Sequence, residues 1–243
     1  MLLKVVQRVF VRNAHCKKCI TICKATECDQ DDIKKFMRET FFKTEPSSTI
    51  CGLTQKTSVS DALLNFVVQP LCENMSYLAQ YEQKGKERII TGVAINGTRP
   101  TKFDEESWEE SVKGIKCEQE MELLLLWKQL SRMPCNPEDY FGCAEELVEL
   151  FYLSVRPLLQ RQGIAKSMVL HSMHEAKCRG YCHFRMDCTS SYSACLAQKC
   201  GLHKIAEVYY KELRDSAGKR YKNIPPPHLK AAIMVANTTQ GNC

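Results

Sequence analysis

One stretch of the sequence decides the fold: Leu150-Phe-Tyr-Leu-Ser-Val-Arg-Pro-Leu-Leu-Gln-Arg-Gln-Gly163-Ile-Ala165-Lys166. An apolar run typical of a strand stops at Arg156-Pro157, and an amphipathic helix follows Gly163. At such a helix N-terminus, unpaired N–H groups and the positive end of the helix dipole point to the same place, and small residues let phosphates approach. The pattern predicts an anion site, although an ordinary strand-to-helix turn has the same pattern.

Length and composition indicate a globular protein in a reducing compartment. The chain has 243 residues and fifteen scattered cysteines, and no secretory signal precedes them. We therefore expect reduced thiols in a cytoplasmic protein. Cys16-x-x-Cys19 suggests zinc, but the second pair of ligands that a structural zinc site needs is missing. We expect no metal.

The net charge of +6 comes from the start of the chain. The basic residues that precede the first acid, Glu27, are Lys4, Arg8, Arg12, Lys17, Lys18 and Lys24. The rest of the chain is neutral overall, which argues against nucleic-acid binding. No run approaches the ~20 apolar residues of a membrane span. Residues 1–19 are expected to form a frayed or docked N-terminal extension, with a mitochondrial presequence as the alternative.

Periodicity and capping residues predict one mixed α/β domain over 20–236, followed by a tail at 237–243. Strands are expected at 20–25, 76–81, 88–95, 146–155, 182–187, 202–210 and 229–236. Helices are expected from Asp29 to about Phe42, from Ser58 or Ser60 to Pro70, and over 118–130, 163–179 and the residues before Cys200. Asn96-Gly97 is predicted to be a turn. Residues 98–143 are interpreted as an excursion without a part in the chemistry.

The order of elements resembles the GNAT superfamily of acyl-CoA-dependent N-acyltransferases, and Gln160-Arg-Gln-Gly163-Ile-Ala165 matches its pyrophosphate loop. Within that superfamily the chain resembles the insect arylalkylamine N-acetyltransferases. The blocks that carry this resemblance are Phe41-Phe-Lys-Thr-Glu45-Pro46, Gln69-Pro-Leu71, Gly92-Val-Ala-Ile-Asn-Gly97, Leu153-Ser-Val155, Cys188-Thr-Ser-Ser-Tyr-Ser-Ala194 and Pro227-His228. The resemblance implies an α/β GNAT fold with helices on both faces of a mixed central sheet, splayed after the strand that ends near Val155.

The resemblance also implies acetyl-CoA as co-substrate and a set of site residues. Glu45 is the implied general base, and Thr189 and Ser193 are the implied proton-relaying hydroxyls, with Thr189 standing where the family has Ser. The implied acetyl-CoA contacts are Leu153, Ser154, Val155, Gln160, Arg161, Gln162, Gly163, Ile164, Ala165, Lys166 and Tyr192. No cysteine nucleophile is expected, because nothing pairs Cys188 with a histidine.

The resemblance also implies a small aromatic amine as acceptor, and such an amine would need an apolar pocket with one acid near its nitrogen. Phe41, Pro46 and Phe66 are candidate walls. Glu149 is a hypothesised second acid, because it lies on an apolar row of a central strand. Thr44 and Phe66 are less polar than the residues that dopamine-type members tend to carry there, which puts a catecholamine preference in question.

Two alternatives remain open at this point. One is a GNAT enzyme for another amine, such as a polyamine, an amino acid or a protein N-terminus. The other is a catalytically weak CoA-binding paralogue, which the Thr189 and Thr44 departures keep open. A monomer or weak dimer is expected in either case.

Overall fold

An eight-stranded sheet carries the helices in the part of the chain that the computed structural model describes, residues 5–13, 16–55, 59–82, 88–133, 136 and 138–238. The strands are β1 (Val5–Asn13), β2 (Cys16–Lys24), β3 (Tyr77–Glu82), β4 (Arg88–Pro100), β5 (Glu146–Val155), β6 (His183–Cys188), β7 (His203–Tyr209) and β8 (Lys230–Asn237). The helices are α1 (Gln30–Glu39), α2 (Phe41–Thr44), α3 (Pro46–Ile50), α4 (Asp61–Val68), α5 (Glu105–Val112), α6 (Glu118–Ser131), α7 (Glu138–Phe141), α8 (Ile164–Cys178) and α9 (Ser191–Lys199). The predicted α/β class is confirmed.

The sheet splays at its centre. Its order is β1-β2-β3-β4-β5-β6-β8-β7, and neighbouring strands are antiparallel except for β5 and β6. This parallel pair is joined only at Val148↔Phe184 and Glu149↔Arg185. Beyond Glu149 the two strands diverge, so a wedge opens between the last part of β5 and the end of β6. The predicted mixed sheet, splayed after the strand that ends near Val155, is confirmed.

Helices cover both faces of the sheet because side chains alternate along the strands. Ile22 and Ala79 face one core, which contains the inner side of α8 and part of α9. Cys23 and Leu78 face a second core, which contains residues of α1, α4 and α6. The predicted helix over 118–130 is confirmed as α6.

The N-terminal segment joins the sheet. The strand predicted over 20–25 begins earlier, as β2, and β1 pairs with it in antiparallel register. The predicted domain limits at 20 and 236 stay predictions. Ser58, most of the predicted turn at 82–87 and residues 239–243 lie outside the described residues. Within the described ranges, no three His, Cys, Asp or Glu side chains are grouped to hold a metal ion, and no helix is long and apolar enough to cross a membrane.

The predicted turn at Asn96-Gly97 is wrong, because both residues lie inside β4. The register with β5 shifts between Ile95 and Asn96, which marks a local irregularity in the strand. A Cβ atom at Gly97 would come within 2.7 Å of a carboxylate oxygen of Glu73. The glycine therefore permits close packing within a strand and does not turn the chain.

The helix predicted from Asp29 to Phe42 is broken at Thr40. α1 ends at Glu39, and Thr40 has φ −122°. Its hydroxyl and its backbone N–H both donate to the Phe36 carbonyl, at 2.6 and 2.9 Å, so the last turn of α1 is closed at this residue. The break lets α2 and α3 start in new directions and brings the chain to the wedge.

Candidate active site

A cavity of about 170 Å³ lies in the wedge between β5 and β6. Its walls come from β5, from the end of β6 and the turn after it, from α2 and the adjoining Glu45, and from helices α4 to α6. The lining residues that the sequence analysis singled out are Phe41, Glu45, Phe66, Glu149, Leu153, Thr189 and Ser193. The structure thus brings the predicted base, the predicted hydroxyls and most of the predicted acceptor residues to one place.

Glu45 reaches this cavity because it lies between two short helices. It is the N-cap of α3, with an extended backbone at φ −72° and ψ 124°, and Pro46 is the first residue of that helix. The Glu45 Oε1 atom accepts hydrogen bonds from the Ser47 backbone N–H at 3.3 Å and from the Ser47 hydroxyl at 3.0 Å. Pro46 is buried at the start of α3 and does not line the cavity.

The environment of Glu45 favours its protonated form. Burial raises the pKa of Glu45 above its ordinary value, while hydrogen bonds from Thr189 and Ser47 oppose the rise. A carboxylate whose pKa is raised is a stronger base than one in water. The site can therefore accept a proton from a group placed next to it in the cavity.

Two hydroxyls that line the cavity come from residues just after β6. Thr189 hydrogen-bonds to Glu45 through its side chain, and its carbonyl accepts a hydrogen bond from the buried Tyr210 hydroxyl at 2.5 Å. Ser193 forms a capping box with Ser190 at the start of α9, and their hydroxyl oxygens are 2.9 Å apart. These bonds hold both predicted hydroxyls in place at the cavity edge.

The neighbouring thiol of Cys188 is unsuited to nucleophilic attack. Burial raises the pKa of Cys188 to about 12, even though Ser193 hydrogen-bonds to its side chain. The thiol is therefore protonated at neutral pH and not reactive.

Aromatic side chains form a large part of the remaining wall, and the sequence analysis missed several of them. Phe41 and Trp127 each contact Tyr152, with ring centroids 5.6 and 5.5 Å apart, and Phe66 contacts Trp108 at 5.7 Å. Trp108 and Trp127 come from α5 and α6, so the segment 98–143, interpreted as an excursion without a part in the chemistry, contributes to the cavity wall. They are the only two tryptophans of the chain, and this was the available signal.

Glu149 lines the cavity but is already paired. Its Oε2 atom lies 2.7 Å from Arg99 and 3.9 Å from Arg185, and Arg185 also contacts Asp187 at 2.6 Å. Burial is the largest influence on the pKa of Glu149 and raises it; Asp187 adds to the rise, and the two guanidinium groups oppose it. The carboxyls and guanidiniums form a buried ion cluster of Arg99, Glu149, Arg185 and Asp187.

The predicted anion site lies in the loop that follows the end of β5 at Val155 and leads into α8. Gly163 has φ 84° and is the N-cap of α8, which begins without a side-chain cap. Arg161 also has a left-handed backbone, at φ 61°. The Gln160 side chain donates to the Val155 carbonyl at 3.1 Å and so connects the loop to β5. The N–H groups in the first turn of α8, at Ile164, Ala165 and Lys166, are left for a ligand.

The other predicted acetyl-CoA residues have distinct surroundings. Leu153 lines the cavity, whereas Ser154 and Val155 are buried in β5, and the Ser154 hydroxyl lies 3.3 Å from that of Thr40. The Gln162 amide group lies 3.5 Å from the Leu158 carbonyl. Tyr192 is 62% exposed and packs edge-on against His228.

Solved structures of similar shape share this arrangement of elements. Arylalkylamine N-acetyltransferase 2 from Aedes aegypti superposes with a TM-score of 0.76 at 25% sequence identity, over 90% of this chain and 99% of that chain. The chain has the GNAT fold. A mosquito arylalkylamine N-acetyltransferase like 5b (TM-score 0.77, 18% identity) and the polyamine N-acetyltransferase of Drosophila melanogaster (0.74, 18%) each match over 90% of this chain and 99% of theirs.

The comparisons support the GNAT resemblance and leave the acceptor open. No protein-family model matches the chain. The similar GNAT structures carry the names of enzymes for arylalkylamines and for polyamines, so the likeness in fold does not choose between these acceptors. That choice depends on the side chains of the cavity.

Proposed function

We propose that this chain transfers the acetyl group of acetyl-CoA to the primary amine of a small arylalkylamine. The observation that carries the proposal is the cavity of the β5–β6 wedge, where Glu45 lies among aromatic side chains. N-acetylation of an amine is supported by the GNAT fold. The arylalkylamine acceptor is supported by the wall of Phe41, Phe66, Trp108 and Trp127.

Acetyl-CoA fits the loop and the free edge of β5. α8 begins without a side-chain cap, and the space beside the Gly163 Cα is open, so phosphates can approach the backbone N–H groups. Arg161 and Lys166 add positive charge near that helix start. From Leu150 onward β5 is no longer joined to β6, so its edge can pair with the amides of the pantetheine arm as an added strand would.

The reaction requires a deprotonated amine. An alkylammonium has a pKa near that of lysine, ~10, so it must lose a proton before it attacks the thioester. Glu45 accepts this proton, directly or through a water molecule. The nitrogen then forms a bond to the carbonyl carbon, and backbone N–H groups at the free edge of β5 stabilise the oxyanion.

The carbon–sulfur bond breaks last, and the departing sulfur carries the electron pair of that bond. The attacking nitrogen still carries one proton too many, and a hydroxyl can relay that proton to the departing sulfur, because a thiol has a pKa around 8.5 and a thiolate accepts it. Ser193 and Thr189 lie at the cavity wall, and Tyr192 lies on the adjoining surface. The products are the N-acetylated amine and free CoA.

A polyamine acceptor is the second candidate, and one observation favours it. Glu149 and Asp187 both line the cavity beside Glu45, so three carboxyl groups surround a small space. A second ammonium group would find acids there. However, Arg99 and Arg185 already pair with these two carboxyls.

A thiol-release assay with acetyl-CoA tests the proposal. The acceptors are tyramine, dopamine, serotonin, spermidine and a short peptide. We expect the aromatic amines to give the highest kcat/KM. A preference for spermidine or the peptide would contradict the arylalkylamine acceptor, and no turnover with any amine, together with acetyl-CoA binding, would indicate a catalytically weak paralogue.

A further inference from the structure

Behind Glu45 lies a chain of hydrogen bonds that the reaction described above does not use. Trp127 donates its indole Nε1–H to the Ser47 hydroxyl oxygen at 3.2 Å. Ser47 in turn donates to Glu45 Oε1 from its hydroxyl at 3.0 Å and from its backbone at 3.3 Å. Ser47 is fully buried, so water does not compete for these bonds.

The donor and the acceptor of each hydrogen bond in this series follow from the chemistry of the three side chains. An indole N–H donates and has no acceptor, so the Ser47 oxygen must accept from Trp127. The single hydroxyl proton of Ser47 is then free to point only to Glu45 Oε1. A hydrogen bond to an ionised carboxylate is stronger than one between neutral groups, and bonds in series polarise one another. The chain is therefore strongest when Glu45 is ionised.

The geometry points to Ser47 and Trp127 as positioning residues that hold the Oε1 atom of Glu45, so that the carboxylate, to which Thr189 also hydrogen-bonds, is oriented to accept the proton of the acceptor amine. We call this pair the Glu45 support. Its part in catalysis rests on the proposed function, in which Glu45 is the base. The existence of the Glu45 support as a coupled series of hydrogen bonds does not depend on the proposed function.

The support also connects the base to the acceptor wall. The Trp127 ring lines the same cavity as Glu45 and lies 5.5 Å from the Tyr152 ring. An aromatic substrate that packs on this wall touches the residue whose N–H group fixes the base. Recognition of the ring and placement of the carboxylate thus depend on one side chain.

The two tryptophans of the chain allow a direct test. Both line the cavity, but only Trp127 donates to Ser47. In ¹H–¹⁵N spectra of the full-length protein, the two indole N–H signals are assigned with Trp127→Phe and Trp108→Phe. We expect the Trp127 signal to move downfield as Glu45 ionises during a titration from about pH 4 to 9, and the Trp108 signal to move much less.

Variants show whether the movement travels through the support. Glu45→Gln should abolish the titration of the Trp127 signal, and Ser47→Ala should reduce it to the size seen for Trp108. Ser47→Thr keeps the hydroxyl and should restore it. Cys188 and Tyr210 also sense the charge of Glu45, but burial raises the pKa of both. Glu149 also lines the cavity and has a raised pKa, and its titration would persist in Glu45→Gln.

A kinetic measurement gives a second readout. The Ser47 hydroxyl lowers the pKa of Glu45, so Ser47→Ala should shift the acidic limb of kcat/KM to higher pH. Loss of one such hydrogen bond should lower kcat about tenfold with little change in the KM of the amine. Loss of packing alone would raise KM without moving the pH profile.

The outcomes separate the two proposals. The proposed support is refuted if the Trp127 signal does not shift when Glu45 ionises, or if it still shifts in Ser47→Ala. This conclusion holds whatever the enzyme acetylates. A Trp127 signal that titrates as expected in a protein that acetylates no amine establishes the support and overturns the proposed function.

Discussion

Substitution of Glu149 by Gln tests whether this residue belongs to the buried ion cluster or serves the acceptor amine. Glu149 and Arg99 are buried and lie 2.7 Å apart. Removal of one partner from a buried ion pair costs ~3–5 kcal/mol, because the other charge is left uncompensated. A Gln side chain keeps the volume and still accepts a neutral hydrogen bond, worth about 1 kcal/mol. We therefore expect a loss near the lower limit, about 3 kcal/mol.

Urea unfolding at pH 7 measures this loss, and thermal unfolding checks it. For a domain of this length, 3 kcal/mol corresponds to a fall in Tm of roughly 6–12 °C. Glu146→Gln is the matched control, since Glu146 begins the same strand and is exposed. Its effect should stay within about 0.5 kcal/mol. The double variant Arg99→Met/Glu149→Gln should recover part of the loss, because Asp187 still balances Arg185.

Two results would refute the assignment of Glu149 to the cluster. One is a loss of stability no larger than that of Glu146→Gln, which means that the Glu149–Arg99 pair carries no buried charge. The other is a tenfold rise in the KM of the amine at unchanged stability, which means that Glu149 binds the substrate as the sequence analysis hypothesised.

Three further substitutions examine the base, the loop and the wall. Glu45→Gln should lower kcat/KM by ~10²-fold or more. It should also raise Tm at pH 7. Folding raises the pKa of Glu45, so the protein with Glu45 loses stability as the pH rises from the pKa of the unfolded chain, about 4.3, through the pKa of the folded protein, and Gln avoids this loss. Thermal unfolding should therefore show the gain at pH 7 and none at pH 4. Arg161→Gly should raise the KM of acetyl-CoA severalfold, whereas Arg161→Lys should leave that KM unchanged. Arg161→Gly should also leave the unfolding free energy unchanged, because relief of the left-handed backbone at φ 61° offsets the greater entropy of glycine in the unfolded state. Trp108→Ala removes the ring that contacts Phe66 and should raise the KM of tyramine about tenfold, with little effect on an aliphatic amine in the same assay.

Local patterns predicted the elements that depend on nearby residues. The apolar run that ends before Arg156 is β5, and the amphipathic pattern after Gly163 is α8, within a residue of the predicted limits. Errors occurred where distant residues decide the conformation. Gly97 faces Glu73 across a close packing contact, and no residue next to it in the chain signals that contact.

The candidate site shows the same division. Motifs and the family resemblance singled out Glu45, Thr189 and Ser193, and the structure places all three at one cavity. Trp108 was missed because its part of the chain indicated a charged loop, and Trp127 because the helix predicted over 118–130 does not show which part of the fold its apolar side contacts. Their role depends on how α5 and α6 pack over the splayed sheet, which is a tertiary property and has no local pattern.

The cavity also bears on how many charges an acceptor can carry. An apolar wall disfavours an ammonium ion, and it raises the pKa of Glu45 for the same reason. The first effect lowers the pKa of the ammonium ion and the second raises that of Glu45. The two pKa values therefore become closer, and proton transfer from one ammonium to Glu45 becomes easier. A second ammonium of a polyamine has no such base to receive its proton. Its nearest acids, Glu149 and Asp187, are held by Arg99 and Arg185, and a charge buried without a free partner is costly. The buried arginines therefore favour an acceptor with a single amine and an uncharged ring, which is the chemistry of an arylalkylamine.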